Sequence, residues 1–344
     1  MPVKQPKKLL IMNILDILRR YSDADHRLSQ RDIIDILKSE YDMDADRKAI
    51  KRNLMNLIDF GYELECSESI RHNKNGEEEI IYTDWYLDRE FNDAELRLLI
   101  DSLLFSKHIP YSQCKELIEK IRGLSNQYFS TKVRHIMNLP TDQPINTDLF
   151  YTIEILDEAI EKNKQVSFHY ADYGTNKQLH LRTYRDGKPR EYLVNPYQMV
   201  ATNGKYYLIG NYEKYDNISH YRVDHIRDIQ ILDTPAKPQR KVKGMEYGLD
   251  LPKHMAEHVY MFAGPSQKVI MRTNPGMAGE LIDWFGNGVT FTDETETSVI
   301  AHVTANLQAM RYWALQYAPY VTILSPQSLV DTVKCDLKTA LEKY

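Results

Sequence analysis

Cysteine is scarce. Cys66, Cys114 and Cys335 are the only three in 344 residues, and none lies near another. Such spacing argues against a cysteine zinc site or a disulfide framework, and it fits a reducing cytoplasm. A long apolar run is also missing. The start, MPVKQPKKLLIMNILDILRR, sets basic residues before an apolar stretch as a secretory leader does. However, Asn13, Asp16, Arg19 and Arg20 interrupt it and no small-residue cleavage site follows. It reads as an amphipathic helix, and no other stretch is apolar enough to cross a bilayer, so no membrane partner is expected. Excess positive charge is absent as well: the net charge is −5, so any surface for nucleic acid must be local. There is no Gly-Lys-Ser/Thr phosphate loop, GNG at 286–288 reading as a short turn, and no nucleophile elbow. A dispersed catalytic triad stays open, but the chain is expected not to be an enzyme and to need no cofactor.

What is present begins with three helices. Leu9, Leu10, Ile14, Ile17 and Leu18 recur at helical spacing and predict a helix to about Tyr21. Ser29 caps a second, QRDIIDILKSEY, and a short polar link leads to a third, RKAIKRNLMNLIDF, stopped by Gly61. That outline is a helix-turn-helix. On the third helix Ile50, Leu54, Leu57 and Ile58 form an apolar stripe that leaves Arg47, Lys48, Lys51 and Arg52 largely outside it. Cations near a helix N-terminus oppose its dipole, so a phosphate backbone or guanine edges would give them a purpose. A solvated face partly neutralised by Asp44 and Asp46 is the plain alternative.

After Gly61, YELECSES and EEEIIYTDWYL flank IRHNKNGE, where Asn75-Gly76 signals a hairpin turn. A hairpin after a recognition helix is the order of a winged helix, with Arg71, His72 and Lys74 near its tip. Trp85-Tyr86-Leu87 falls in the returning strand, so it reads as hairpin core. Asn92 and Glu95 then form a capping box for LRLLIDSLLF. Helices follow to about Asn163, punctuated by Pro110 and Pro140.

From Lys164 to Leu232 five short β-type runs, separated by turns such as DG at 186–187 and NG at 203–204, suggest a small barrel. A basic linker, DTPAKPQRKVKG, closes it. The last hundred residues read as β-α-β-β-α-β plus a helix, a ferredoxin-like order suited to packing against another subunit. The expected architecture is multidomain α+β. Its parts are a winged helix (1–90), a helical linker (91–147), a small Sm/SH3-like β-barrel sensor (148–235), a linker (236–265) and a ferredoxin-like dimerisation domain (266–344).

The richest constellation runs from Gly204 to Ile229. Tyr206, Tyr207, Tyr212, Tyr215 and Tyr221 alternate there with Lys205, Lys214, Arg222, His225 and Arg227. Tyrosine faces stack on bases, and arginine forks match phosphate or carboxylate. Single tyrosines are better read as core, the cluster as a binding patch, and an Arg222–Asp224 contact as possible surface pairing. HMAEH, His254 to His258, fits the H-x-x-E-H pattern of zinc peptidases, but no third ligand is identifiable.

GKYYLIGNY followed by HYRVDHIRDI resembles the signature of WYL-domain transcriptional regulators: a Trp-Tyr-Leu strand, then a strand of the form aromatic-Arg-hydrophobic-Asp-Arg-Ile. Tyr207 and Leu208 match the first and Tyr206 stands in for tryptophan. Tyr221, Arg222, Val223, Asp224 and Ile226 match the second, with His225 in place of its second arginine. The N-terminal RKAIKRNLMNLIDFGYEL resembles the winged helix of these proteins, and the C-terminal part resembles their WCX-type extension. The resemblance implies a homodimer that reads a palindromic double-stranded operator. It also implies an Sm-like barrel that senses a nucleotide or single-stranded nucleic acid. It places ligand contacts at Tyr206, Tyr207, Arg222 and His225, with His169, Tyr170 and Tyr197 on bordering strands. DNA contacts are expected at Arg47, Lys48, Lys51, Arg52, Arg71 and Lys74. His225 is a weaker, pH-dependent anion partner than arginine. An accessory module of a defence system, holding nucleic acid through the WYL domain without operator binding, is the alternative.

Overall fold

The computed structural model describes residues 6–72, 78–106, 109–132 and 148–344. Lys74, the Asn75-Gly76 turn and Pro140 lie outside the described residues. The chain divides into two compact units, Met1–Ile145 and Asn146–Tyr344.

The first unit starts with α1 (Leu10–Tyr21), α2 (Gln30–Tyr41) and α3 (Arg47–Phe60). β1 (Leu64–His72) and β2 (Glu78–Leu87) follow as an antiparallel pair, with Leu64 opposite Leu87. Local chemistry sets the boundaries. Ser29 accepts from Asp32 N while the Asp32 carboxylate accepts from Ser29 N, a complete capping box on α2. Asp46 caps α3 at Ala49 N, and Gly61 ends it at φ 110°, where a side chain would be strained. Ile14, Ile17, Leu18, Ile33, Leu37, Ile50 and Leu54 are fully enclosed, and each contributes about 1.5–3 kcal/mol by leaving water. Trp85 sits in this same core with no exposed surface. Then come α4 (Asp93–Phe105), opened by the Asn92–Glu95 capping box, α5 (Tyr111–Arg122) and α6 (Gln127–Lys132).

In the second unit α7 (Leu149–Glu161) precedes six strands: β3 (Lys164–Tyr173), β4 (Leu179–Leu181), β5 (Glu191–Thr202), β6 (Lys205–Tyr212), β7 (Ile218–Arg222) and β8 (Ile226–Pro235). Six replace the five read from sequence, because a single turn of 3-10 helix, Val223–His225, breaks the last run into β7 and β8. The sheet order is β4-β3-β5-β6-β7, and β8 returns to pair with β3, so β3 has three neighbours and the sheet bends round itself. Asn203 and Gly204 both take positive φ, as a two-residue I′ hairpin turn between β5 and β6 requires. Inside, Gln165 donates to Asn195, Asn195 donates to Asn211 at 3.0 Å, and Asn211 donates to the carbonyls of Tyr215 and Asn217. Gly210 lies against this chain of amides; a Cβ there would stand 2.8 Å from the Asn195 carbonyl oxygen.

The remaining elements are α8 (Leu251–Glu257), β9 (Ser266–Thr273), α9 (Ala278–Phe285), β10 (Thr290–Thr292), β11 (Val299–Asn306), α10 (Leu307–Gln316), β12 (Thr322–Ser325) and α11 (Gln327–Leu341). From β9 the order is β-α-β-β-α-β plus a helix, on a sheet ordered β10-β11-β9-β12 with every pairing antiparallel. Trp313, Met271, Leu281 and Met310 fill its core. Among the described residues no helix is long and apolar enough to cross a membrane.

Candidate functional site

Two surfaces carry the residues singled out by sequence. On α3, Arg47, Lys48 and Arg52 are exposed, while Lys51 is half-buried with its Nζ 5.2 Å over the Tyr82 ring of β2. Arg47 and Lys51 are four residues apart, as are Lys48 and Arg52, so the four make one helix face of adjacent like charges. Asp46, a candidate neutraliser, is engaged as the helix cap. Among the described ion pairs none involves these four cations. Such a face is unfavourable in isolation and asks for external negative charge. Arg71 is exposed on β1, with Glu79 opposite it in the register.

The second surface is built on an aromatic stack in the bent sheet. Phe168, Tyr192, Tyr221, Tyr170 and Tyr212 hold neighbouring ring centroids 5.3 to 5.8 Å apart. The Arg182 guanidinium lies 4.8 Å from the Tyr170 ring, and Arg190 lies 4.7 and 5.6 Å from those of Tyr192 and Tyr212. Arg182 is held by a fork to Asp172, at 2.6 and 3.1 Å, which raises its pKa further. Arg190 enters no ion pair among the described residues.

Arg222 makes a matching fork to Asp224, at 3.1 and 2.6 Å. The Asp224 side chain has no exposed surface and that of Arg222 is 25% exposed. The pair is therefore not surface decoration. The 3-10 turn that breaks the strand is what folds Asp224 inward beneath Arg222. Burial alone would depress the Arg222 pKa, and the carboxylate outweighs it. Tyr170 accepts a hydrogen bond from Arg222 N, and burial pushes its phenol up to about 12.

His225 is buried, with Nδ1 on the Ala171 carbonyl at 2.7 Å. Burial, and then the Arg222 charge, lower its pKa, so it stays neutral at physiological pH and supplies neither a strong anion contact nor a switch there. Tyr207 lies opposite Arg222 in the β6–β7 register. Tyr206, one residue earlier, faces the other way, where burial and the Asp157 carboxylate on α7 raise its pKa. His169 is half-exposed and bonded to Asp228, again on the face opposite Tyr170. Tyr197 donates to the Lys237 carbonyl and anchors the linker with Val242 and Met245. The structure therefore gathers Tyr170, Tyr207, Arg222 and His225, and sets Tyr206, His169 and Tyr197 apart. Arg182, Arg190 and Asp172 join the gathered group without having been singled out. Their signal was the basic, aromatic stretch HLRTYRDGKPREY, whose DG turn returns both arginines to the tyrosines.

The HMAEH histidines stack on each other at 4.1 Å, and His254 Nε2 faces His220 Nε2 at 2.8 Å. No group of three ligating side chains placed to hold a metal occurs among the described residues.

The WYL domain family matches residues 151–231 and the WCX domain family residues 265–341. No curated protein matches. Among solved structures, the proteasome accessory factor B/C (PafBC) of Arthrobacter aurescens is 15% identical over 100% of this chain and 50% of its own, with a TM-score of 0.29. This chain thus spans about half the length of that protein. A CRISPR Cas-related protein is 12% identical over 75% of each chain, with a TM-score of 0.38. Trp85-Tyr86-Leu87 lies outside both domain matches. Within this one chain a match to the WYL domain family, residues 151–231, is thus followed by a match to the WCX domain family, residues 265–341.

Proposed function

We propose that this chain is a DNA-binding transcriptional regulator. In this reading α1 to α3 with the β1–β2 hairpin form a winged helix. The bent sheet is an Sm-like barrel that senses a nucleotide or single-stranded nucleic acid. The ferredoxin-like C-terminal part makes a homodimer. The protein is cytoplasmic, not an enzyme, and reads a palindromic double-stranded operator with one α3 per half-site. The observation that carries this is the face of Arg47, Lys48, Lys51 and Arg52, four like charges with no described ion pair, in a chain that also contains a WYL domain.

The sensing half rests on Arg190 and Arg182 over a tyrosine stack, with Arg222 beside it and joined to Tyr170 through its backbone N–H. An anionic ligand there competes with Asp172 and Asp224 for guanidinium donors while its bases find ring faces. Effector binding changes operator affinity only so far as it favours one dimer state over the other.

Fluorescence anisotropy with duplex DNA from upstream of the protein's own coding sequence tests the assignment. Sequence-specific binding is expected, and Arg47→Ala with Lys51→Ala should abolish the preference over unrelated duplex. An unaltered preference in that double variant would overturn it. A protein that binds single strands but no duplex would be an accessory module instead.

A further inference from the structure

A second aromatic surface adjoins the Arg222 cluster and shares Tyr207 with it. Tyr207 and Lys205 on β6, Tyr260 and Phe262 on the segment before β9, Trp284 on α9 and Tyr312 on α10 line one open cleft of about 590 Å3. That size suits a small molecule. Asn203 at the β5–β6 turn and Gln316 on α10 complete its rim. Asn203, Lys205 and Tyr207 of the WYL match therefore supply one wall, and the other comes from Trp284, Tyr312 and Gln316 of the WCX match with Tyr260 and Phe262 of the segment between the two.

The rings are fixed at their edges rather than merely collected. Trp284 Nε1 donates to Glu280 at 2.8 Å and contacts the Tyr317 hydroxyl at 3.1 Å. Tyr260 donates to Gln316 Oε1 at 3.1 Å. Phe262 stacks on Tyr312 at 5.4 Å with 17° between planes, and Tyr260 lies 5.3 Å from Trp284. The two walls are tied together where Asn203 Nδ2 donates to the Val259 carbonyl at 2.7 Å. Hydrogen bonds at the rim thus orient Trp284 and Tyr260, while Phe262 and Tyr312 hold one another by stacking. Tyr312 is 50% exposed. A preorganised set of aromatic faces binds a flat ring at low conformational cost.

Charge narrows the class. Lys205 is the one charged residue lining the cleft, and no carboxylate lines it. An aromatic cation would meet Lys205 as a like charge, whereas an aromatic ring with an anionic substituent finds both partners. We infer that this cleft binds a nucleobase with its phosphate, the base between Trp284 and Tyr312 and the phosphate toward Lys205. The inference rests on the proposed nucleotide-type effector and moves its base from the barrel alone to the seam with the WCX domain. The same chemistry belongs to a free nucleotide or to one residue of a single strand.

Tryptophan fluorescence of the full chain reads the cleft, because Trp85 and Trp313 are fully enclosed and Trp284 is not. Adenosine monophosphate, adenosine, inorganic phosphate and a ten-residue oligothymidylate are the probes. Saturable quenching by the monophosphate is expected, with adenosine weaker and phosphate alone silent. Tyr312→Ala should weaken binding about tenfold, the loss of one stacking ring. Lys205→Gln should reduce the monophosphate to the affinity of adenosine. Quenching by the oligonucleotide but not the monophosphate would assign a single strand as the source and still support the site. Thermal melting confirms that both variants are folded. No quenching by any probe, or quenching unchanged by both substitutions, overturns the inference. The barrel variant Arg190→Ala separates the two readings. If it abolishes oligonucleotide binding in a filter assay while Tyr312→Ala leaves it intact, the sensing proposal stands and the cleft falls.

Discussion

At the scale of single residues, the Arg222–Asp224 pair shows how burial changes the meaning of a motif. Two residues apart in a strand, they share a face and can pair in solvent for little gain. Here Asp224 is enclosed, so removing its charge leaves a guanidinium half-buried without its fork. Asp224→Asn is expected to destabilise the second unit by about 3 kcal/mol, as for one lost partner of a buried pair, and urea unfolding would check it. The histidines give a second expectation. Burial, with the neighbouring His254 and His258, lowers the His220 pKa to about 3; burial, with His258, lowers that of His254 to about 4. Both are neutral in the folded state and protonate more readily when unfolded. Their effect on stability is therefore nil well above pH 6.5, and stability declines as pH falls from there through about 4 and then about 3. Melting temperature followed from pH 7.5 to 4.5 should drop, and His254→Gln should flatten the slope. Such roles were not legible in the sequence, which places His220 far from HMAEH and says nothing of enclosure.

At the scale of elements, most boundaries were legible because local chemistry decides them. Ser29, Asn92 and Gly61 act within a few residues of themselves, and so did the NG turn at 203–204, whereas Asp46, read only as a neutralising charge, proved to be the cap of α3. Ser29→Ala should cost about 1 kcal/mol of stability in the first unit, measurable by thermal denaturation. What sequence missed was the interruption at Val223–His225. Alternation alone continues a strand through it, whereas in the fold the turn sets Asp224 against Arg222 and His225 against the Ala171 carbonyl. Facing was harder still. Tyr206 and Tyr207 are adjacent in the motif yet lie on opposite sides of β6. For α3, the proposed phosphate contacts have a quantitative signature. Replacing Arg47 and Lys48 by Ala should reduce the slope of log affinity against log salt by about 2 per bound protomer. An unchanged slope in anisotropy titrations would place DNA elsewhere.

At the scale of the molecule, the order of parts was readable because each has its own period: helical spacing, then alternating strands with turns, then mixed elements. The two compact units each contain their own core, so a fragment of residues 146–344 is expected to fold alone with a cooperative transition by circular dichroism. The cleft was not readable, because its six chief residues come from four separate segments between 205 and 312. Only the folded seam brings them together.

The row of interior amides from Gln165 through Asn195 to Asn211 has a consequence for signalling. Sliding β5 past β6 by one residue would strand each of those groups in a place without water, and Gly210 allows no bulkier residue in the slot. Under the proposed sensing role, a signal would leave this sheet by movement of an intact body, and amide protons along β5 and β6 should stay equally protected with and without effector.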